Sequence, residues 1–77
     1  REQSISSVHA RLGLHLYDYR FEQGHSDYYA ANQINLSTLK LRRIERGRQE
    51  VDLLTLQDIA AYTETPLDDL VRKIYAN

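Results

Sequence analysis

The chain contains no cysteine, no methionine and no tryptophan, and its 77 residues include one proline and three glycines. Without cysteine it forms neither a disulfide nor a cysteine-bound zinc site. So little proline and glycine is atypical of a small all-β domain, which needs many turns. No apolar run reaches the roughly 20 residues of a membrane span. No segment resembles a signal peptide, so we expect a cytoplasmic protein.

The length and the ends of the chain bear on its domain organisation. Seventy-seven residues suffice for one domain and not for two, so we expect a single domain over residues 1–77. The chain begins with Arg1 and has no methionine, and an apolar helical pattern runs almost to Asn77. We therefore expect it to be a fragment of a longer protein.

Apolar residues recur at helical spacing along the whole chain. The first stripe is Ile5, Val8, Leu12, Leu16 and Tyr19, which is typical of one face of an α-helix. The fourth segment has an apolar face that includes Leu53, Leu56 and Ile59. The predicted helix N-caps are one of Ser4, Ser6 or Ser7, then Ser26, Ser37, Asp52 and Thr65. With Gly24 and Gly47 as C-terminal turn residues, the pattern predicts an all-α chain of five helices.

The second and third helices are joined very tightly. Only Asn35 and Leu36 separate the second helix from Ser37, the N-cap of the third. Asparagine is one of the few residues besides glycine that tolerate the left-handed backbone region. This spacing is typical of a helix-turn-helix unit.

The formal net charge of −1 argues at first sight against a nucleic-acid-binding protein. The total hides an uneven distribution. Residues 40–48 hold five of the ten lysines and arginines and one acid, Glu45, whereas residues 49–70 hold six acids and no base. We call residues 40–48 the basic segment and residues 49–70 the acidic segment. The five bases of the basic segment are Lys40, Arg42, Arg43, Arg46 and Arg48.

The arginines of the third helix project from one broad face, opposite the apolar Leu41 and Ile44. Cations spread over one surface are what the phosphates of DNA bind, and the first turn of a recognition helix is what reaches base edges. A charged helix face is also simply solvated in many proteins. The basic segment alone therefore leaves both interpretations open.

Several short patterns occur in one register between Leu12 and Leu70. They are Leu12-Gly13, Arg20 with Gly24, Ala31, Leu36, the run from Ile44 to Gly47, Thr55-Leu56, Ile59-Ala60 and Thr65 through Leu70. Together they resemble the XRE family of helix-turn-helix proteins, which includes lambda-type phage repressors and Cro. The run Ile44-Glu45-Arg46-Gly47 is the most specific of them, and Asn35 stands where the family has a turn glycine.

The resemblance implies a five-helix, lambda repressor-like domain whose recognition helix, residues 37–46, lies in the major groove of double-stranded DNA. The residues implied to meet bases are Thr38, Leu39, Arg42 and Arg43, and those implied to meet phosphates are Ser37, Lys40, Arg46 and Arg48. The resemblance also implies a structural ion pair between Arg20 and Glu45. The implied function is sequence-specific DNA binding by a transcriptional regulator, a repressor rather than an activator, acting as a homodimer.

The second helix departs from the family. Asp27 stands where the family has a glutamine that contacts the DNA backbone, and a carboxylate there repels phosphate unless it only caps the helix. Tyr28 and Tyr29 follow in place of polar residues. Their hydroxyls can bond to phosphates, or their rings can pack against a neighbouring helix or a partner protein. We keep Tyr28 as a candidate DNA contact.

We do not expect an enzyme, because the sequence has no cysteine nucleophile, no glycine-rich phosphate loop and no HExxH motif. His9, His15 and His25 lack the spacing of a metal site or an acid–base pair, so we expect no catalytic residues and no metal. We also expect no cofactor, and no membrane contact because no apolar run is long enough to span a membrane. Two other functions stay open. One is an interaction module that binds another protein, as an antitoxin or antirepressor does. The other is the N-terminal DNA-binding domain of a peptide-responsive regulator with a C-terminal sensor domain.

Overall fold

The computed structural model of the chain describes the backbone of residues 2–76 and the side chains of residues 7–76. Over residues 2–76 the chain forms five α-helices and no β-strand. The helices are α1 (Glu2–Gln23), α2 (Asp27–Ile34), α3 (Thr38–Glu45), α4 (Leu53–Tyr62) and α5 (Leu67–Ile74). The predicted all-α class and number of helices are confirmed. None of these helices is both long and apolar enough to cross a membrane.

Every helix contributes apolar side chains to one core. Its buried members are Leu12, Leu16, Ala30, Ala31, Ile34, Leu41, Ile44, Ile59, Ala60, Leu70 and Ile74. Helix α1 packs against α3 and α5, α2 packs against α3 and α4, and α4 packs against α5. The radius of gyration is 11.4 Å, which agrees with the value of about 11.5 Å for a compact domain of this length.

Local sequence signals at the ends of α2, α3 and α4 are confirmed. The side-chain oxygens of Ser26, Ser37 and Asp52 accept hydrogen bonds from the third backbone N–H after each, at 3.0, 3.1 and 2.8 Å. Asn35 adopts the left-handed conformation, with φ 62° and ψ 41°. Each signal works because a cap or a turn satisfies backbone groups that the helix itself leaves unpaired.

Three predictions of local structure are wrong. Helix α1 begins at Glu2, so Ser4, Ser6 and Ser7 lie inside it and none is its N-cap; the side chain of Ile5 lies outside the described residues. Leu53 begins α4 but is 62% exposed, because the core contacts of that helix start at Thr55 and Leu56. The N-cap of α5 is Pro66, which offers no side-chain hydrogen bond, and not Thr65.

Thr65 fails to cap α5 because its hydroxyl belongs to a network centred on His15. Nε2 of His15 lies 2.9 Å from Oγ1 of Thr63 and 3.3 Å from Oγ1 of Thr65. On the other side of the ring, Nδ1 lies 2.9 Å from Nζ of Lys73. An ammonium group can only donate, so Nδ1 accepts and the proton of the neutral ring is on Nε2. The network ties α1 to the α4–α5 connection and to α5.

Two glycines let α1 approach the end of α3 closely. A Cβ atom at Gly13 would lie 2.3 Å from the carbonyl oxygen of Ile44 and 2.6 Å from that of Glu45. Gly47, with φ +71°, has backbone atoms of Ala10 at 3.1 Å from the position of a Cβ. The backbone of α1 therefore fixes where the C-terminal end of α3 lies.

Candidate nucleic-acid interface

The outer face of α3 carries the residues that the sequence predicts to meet DNA. Its exposed or partly exposed positions run continuously from the N-cap to the turn beyond the helix, and they are Ser37, Thr38, Leu39, Lys40, Arg42, Arg43, Arg46 and Arg48. Leu39 is 57% exposed, whereas Leu41 and Ile44 on the opposite face are at most 1% exposed. The structure thus gathers these predicted residues on one surface, which we call the α3 face.

Arg20 and Glu45 are joined across α1 and α3. Nε of Arg20 donates to Oε2 of Glu45 at 2.7 Å, and Nη2 donates to Oε1 at 3.0 Å. A third N–H, on Nη1, donates to the backbone carbonyl of His25 at 3.1 Å. The two side chains are 17% and 8% exposed, and the hydrogen bond with Glu45 raises the pKa of Arg20 above its ordinary value. This geometry is that of a structural pair, and it neutralises the one acid within the basic segment.

A second ion pair crosses the helix-turn-helix unit itself. Nε of Arg42 donates to Oδ2 of Asp27 at 2.8 Å, and this hydrogen bond holds the pKa of Asp27 below its usual range. The N-cap of α2 is Ser26, so Asp27 is not the cap and its carboxylate pairs with Arg42 instead. The sequence places an acid at the start of α2 and an arginine on α3, but their contact depends on the angle between the helices. Sequence reasoning therefore missed this pair.

The two adjacent tyrosines of α2 differ in their surroundings. Tyr29 packs against His25, with ring centroids 4.4 Å apart. Tyr28 is 68% exposed and points away from the core. Tyr29 therefore uses its ring for packing, which is one of the two roles expected from the sequence. Tyr28, next to Asp27, remains exposed and stays a candidate DNA contact.

Positive charge on the α3 face is largely uncompensated. Among residues 7–76, ion pairs involve Arg20, Arg42 and Arg72, and none involves Lys40, Arg43, Arg46 or Arg48. Four cations thus remain available to an external anion along the α3 face.

The apolar face of α5 is mostly used inside the domain. Leu70 and Ile74 are buried, and Leu67 packs against the core. Tyr75, just beyond the helix, is 62% exposed. Other exposed apolar side chains lie on α1 and α4, among them Leu14, Phe21, Leu53 and Leu54.

Comparisons with known proteins identify the fold. No protein-family model and no curated protein matches the chain. Among solved structures, the chain is similar to the crystal structure of the clp gene regulator ClgR from C. glutamicum, with a TM-score of 0.72 and 24% sequence identity over 87% of each chain. The five helices are therefore arranged in an all-α helix-turn-helix fold, as the sequence predicts.

Proposed function

We propose that this domain binds double-stranded DNA sequence-specifically, as part of a transcriptional regulator, with α3 in the major groove. The observation that carries the proposal is the α3 face. It joins an exposed helix N-terminus, which is the part of a recognition helix that reaches bases, to four cations that have no ion-pair partner among residues 7–76. Cations at several points along one surface match the phosphates on either side of a groove.

The exposed side chains divide by chemistry into two groups. Arg43 can donate two hydrogen bonds to a guanine, and Leu39 can contact a thymine methyl group; Thr38 and Arg42 complete the group proposed to face bases. Phosphates accept from hydroxyls, ammonium groups and guanidinium groups without regard to sequence. The residues proposed to meet phosphates are Ser37, Lys40, Arg46, Arg48 and Tyr28.

The resemblance to XRE-family proteins supports a finer proposal. That family includes lambda-type repressors and Cro, so we propose a repressor that acts as a homodimer and that is not an enzyme. Two copies bound to one operator would place their α3 helices about 34–36 Å apart, one turn of DNA. The neighbour of known structure is itself described as a gene regulator, which agrees with a role in gene regulation.

The direct test is a gel shift with a random-sequence duplex at low salt, followed by a salt titration. We expect binding that weakens steeply as salt rises, because each phosphate neutralised by the α3 face releases condensed counterions. The logarithm of the binding constant should fall with the logarithm of salt concentration with a slope of about −0.9 per phosphate contact. A folded protein that shifts no duplex at low salt contradicts the proposal and favours a module that binds another protein.

A further inference from the structure

A groove of about 380 Å³ lies between the end of α1, the helix α2 and the helix α4. Its lining includes three tyrosines, one histidine and two acids: Tyr19, Tyr29, Tyr62, His25, Asp58 and Glu64. None of its lining residues belongs to α3 or to the basic segment. The DNA-binding proposal leaves this groove without a role.

The aromatic side chains of the groove hold one another in a fixed arrangement. The rings of Tyr19 and Tyr62 meet nearly at right angles, at 74°, with centroids 5.1 Å apart. The Tyr62 hydroxyl and Nδ1 of His25 share a hydrogen bond of 2.7 Å, and the His25 ring packs on Tyr29. Such mutual contacts fix ring positions before any ligand arrives, which lowers the entropic cost of binding.

The charged side chains that line the groove are both acids, and the nearby Arg20 is paired with Glu45. Both acids, Asp58 and Glu64, belong to the acidic segment, and the lining contains no lysine and no arginine. Burial raises the pKa of Tyr62, so its hydroxyl stays protonated and adds no charge at neutral pH. Glu64 adopts a left-handed backbone, with φ +55°, a conformation that disfavours any residue with a side chain. A glutamate thus lines the groove at a backbone position where glycine would be less strained.

We propose that this groove binds a guanidinium group. Aromatic faces attract cations, and a planar guanidinium can stack on a tyrosine ring while it donates paired hydrogen bonds to a carboxylate. An ammonium group is a compact and strongly hydrated point charge that cannot stack on a flat ring as a guanidinium does. The guanidinium belongs either to a free arginine derivative or to an arginine side chain of a protein partner. This inference does not rest on DNA binding.

The test compares N-acetyl-arginine amide with N-acetyl-citrulline amide, which has nearly the same shape and no charge. The tyrosine ring signals of the 77-residue chain are followed by NMR at pH 8, where imidazole side chains are in general uncharged. We expect saturable shifts of the Tyr19, Tyr29 and Tyr62 signals with the arginine compound and none with citrulline. Equal shifts with both compounds, or no shift with either, overturn the proposal.

Variants locate the binding in the groove. The double variant Asp58→Asn, Glu64→Gln should weaken binding of the arginine compound at least tenfold. The separate variant Tyr29→Leu, which removes a half-exposed ring, should weaken it to the same extent. The pair Asp68→Asn and Asp69→Asn removes the same charge from α5 and should leave affinity within twofold. Wild-type affinity in a groove variant that is folded by circular dichroism overturns the proposal.

A peptide distinguishes the two sources of the guanidinium. N-acetyl-Gly-Arg-Gly amide carries the arginine within an extended chain. Affinity equal to or above that of the single amino acid indicates a groove open enough for a protein partner. Affinity at least tenfold lower indicates a small arginine derivative, and both results support a guanidinium site.

Discussion

Arg20 donates to both carboxylate oxygens of Glu45, at 2.7 and 3.0 Å, and so fastens the end of α1 to the last residue of α3. The same end of α3 also lies against Gly13, where no side chain fits. Two independent contacts with α1 therefore determine how α3 is presented to the solvent. The stability of the domain and the position of the α3 face depend on the same atoms.

Removing one partner of the Arg20–Glu45 pair should destabilise the domain strongly. Glu45→Ala leaves the guanidinium of Arg20 nearly buried without its carboxylate, and losses of about 3–5 kcal/mol are typical of such changes. Glu50→Ala, at an exposed acid close by in the sequence, is the control and should change stability little. Thermal melting followed by circular dichroism measures both. Equal melting temperatures for the two variants would contradict a structural role of the pair.

Gly13→Ala should destabilise the domain although alanine is the better helix former. In an unconstrained helix the change would add roughly 1 kcal/mol of stability. Here the added methyl group overlaps the carbonyl oxygens of Ile44 and Glu45, and overpacking of this kind typically costs about 1–3 kcal/mol. Chemical denaturation gives the sign. A Gly13→Ala chain more stable than wild type would mean that α1 and α3 can separate without loss.

Asp27→Asn should strengthen binding to random-sequence DNA. The change frees the Arg42 guanidinium from its 2.8 Å contact and removes a negative charge from the first turn of α2. On random-sequence DNA a base-facing arginine has no matching base and meets phosphate instead, so the salt dependence should steepen by about one phosphate contact. Asp18→Asn makes the same change of charge on α1 and is the control. Unchanged affinity in the Asp27 variant, with normal binding by wild type, would show that Asp27 does not compete with phosphate for Arg42.

Arg43→Ala and Arg48→Ala should affect DNA binding differently. Loss of an arginine that contacts a guanine costs about 1–3 kcal/mol of discrimination at one base pair, so Arg43→Ala should relax the preference selected from a random duplex pool. Loss of a phosphate contact weakens all sequences alike, which is the result expected for Arg48→Ala. The same loss of specificity in both variants would count against this division of roles.

Acid should destabilise the domain through His15. Burial and the nearby Lys73 lower the pKa of His15, while Asp18 opposes the shift. The unfolded chain therefore takes up a proton first as the pH falls, so the stability present above the ordinary histidine pKa of 6.5 is lost below it. The melting temperature should fall as the pH is lowered through 6.5, and His15→Gln should reduce that fall. His9→Gln is the control, and an identical pH profile for the wild type and the His15 variant would exclude this contribution.

The helices could be predicted because their signals are local. Ser26, Ser37 and Asp52 cap helices through backbone groups three residues away, and the spacing of Leu41 and Ile44 alone shows which face of α3 is buried. The prediction of Thr65 as the N-cap of α5 was wrong because its hydroxyl lies in the hydrogen-bond network of His15, which is 50 residues distant in the sequence. A capping rule based on neighbouring residues cannot include a hydrogen-bond partner so far away in the sequence.

The candidate interface could be predicted only in part. The bases of the α3 face follow from helical geometry, since they lie opposite a buried stripe. The contact of Asp27 with Arg42 and the grouping of Tyr19, Tyr29 and Tyr62 depend on how separate helices cross. Charge and aromatic content show that such groups exist, but only the packed chain shows which of them meet.

Apart from Arg42, which also pairs with Asp27, helix α3 separates the positions that hold it in place from those that face the solvent. Leu41, Ile44 and Glu45 hold the helix in place, whereas Thr38, Leu39 and Arg43 face the solvent and belong to neither ion pair. Side chains at the latter three positions can therefore be exchanged together without disturbing the scaffold. Under the proposed function, exchange at Thr38, Leu39 and Arg43 changes base preference without changing the fold, so one scaffold can serve different DNA sequences.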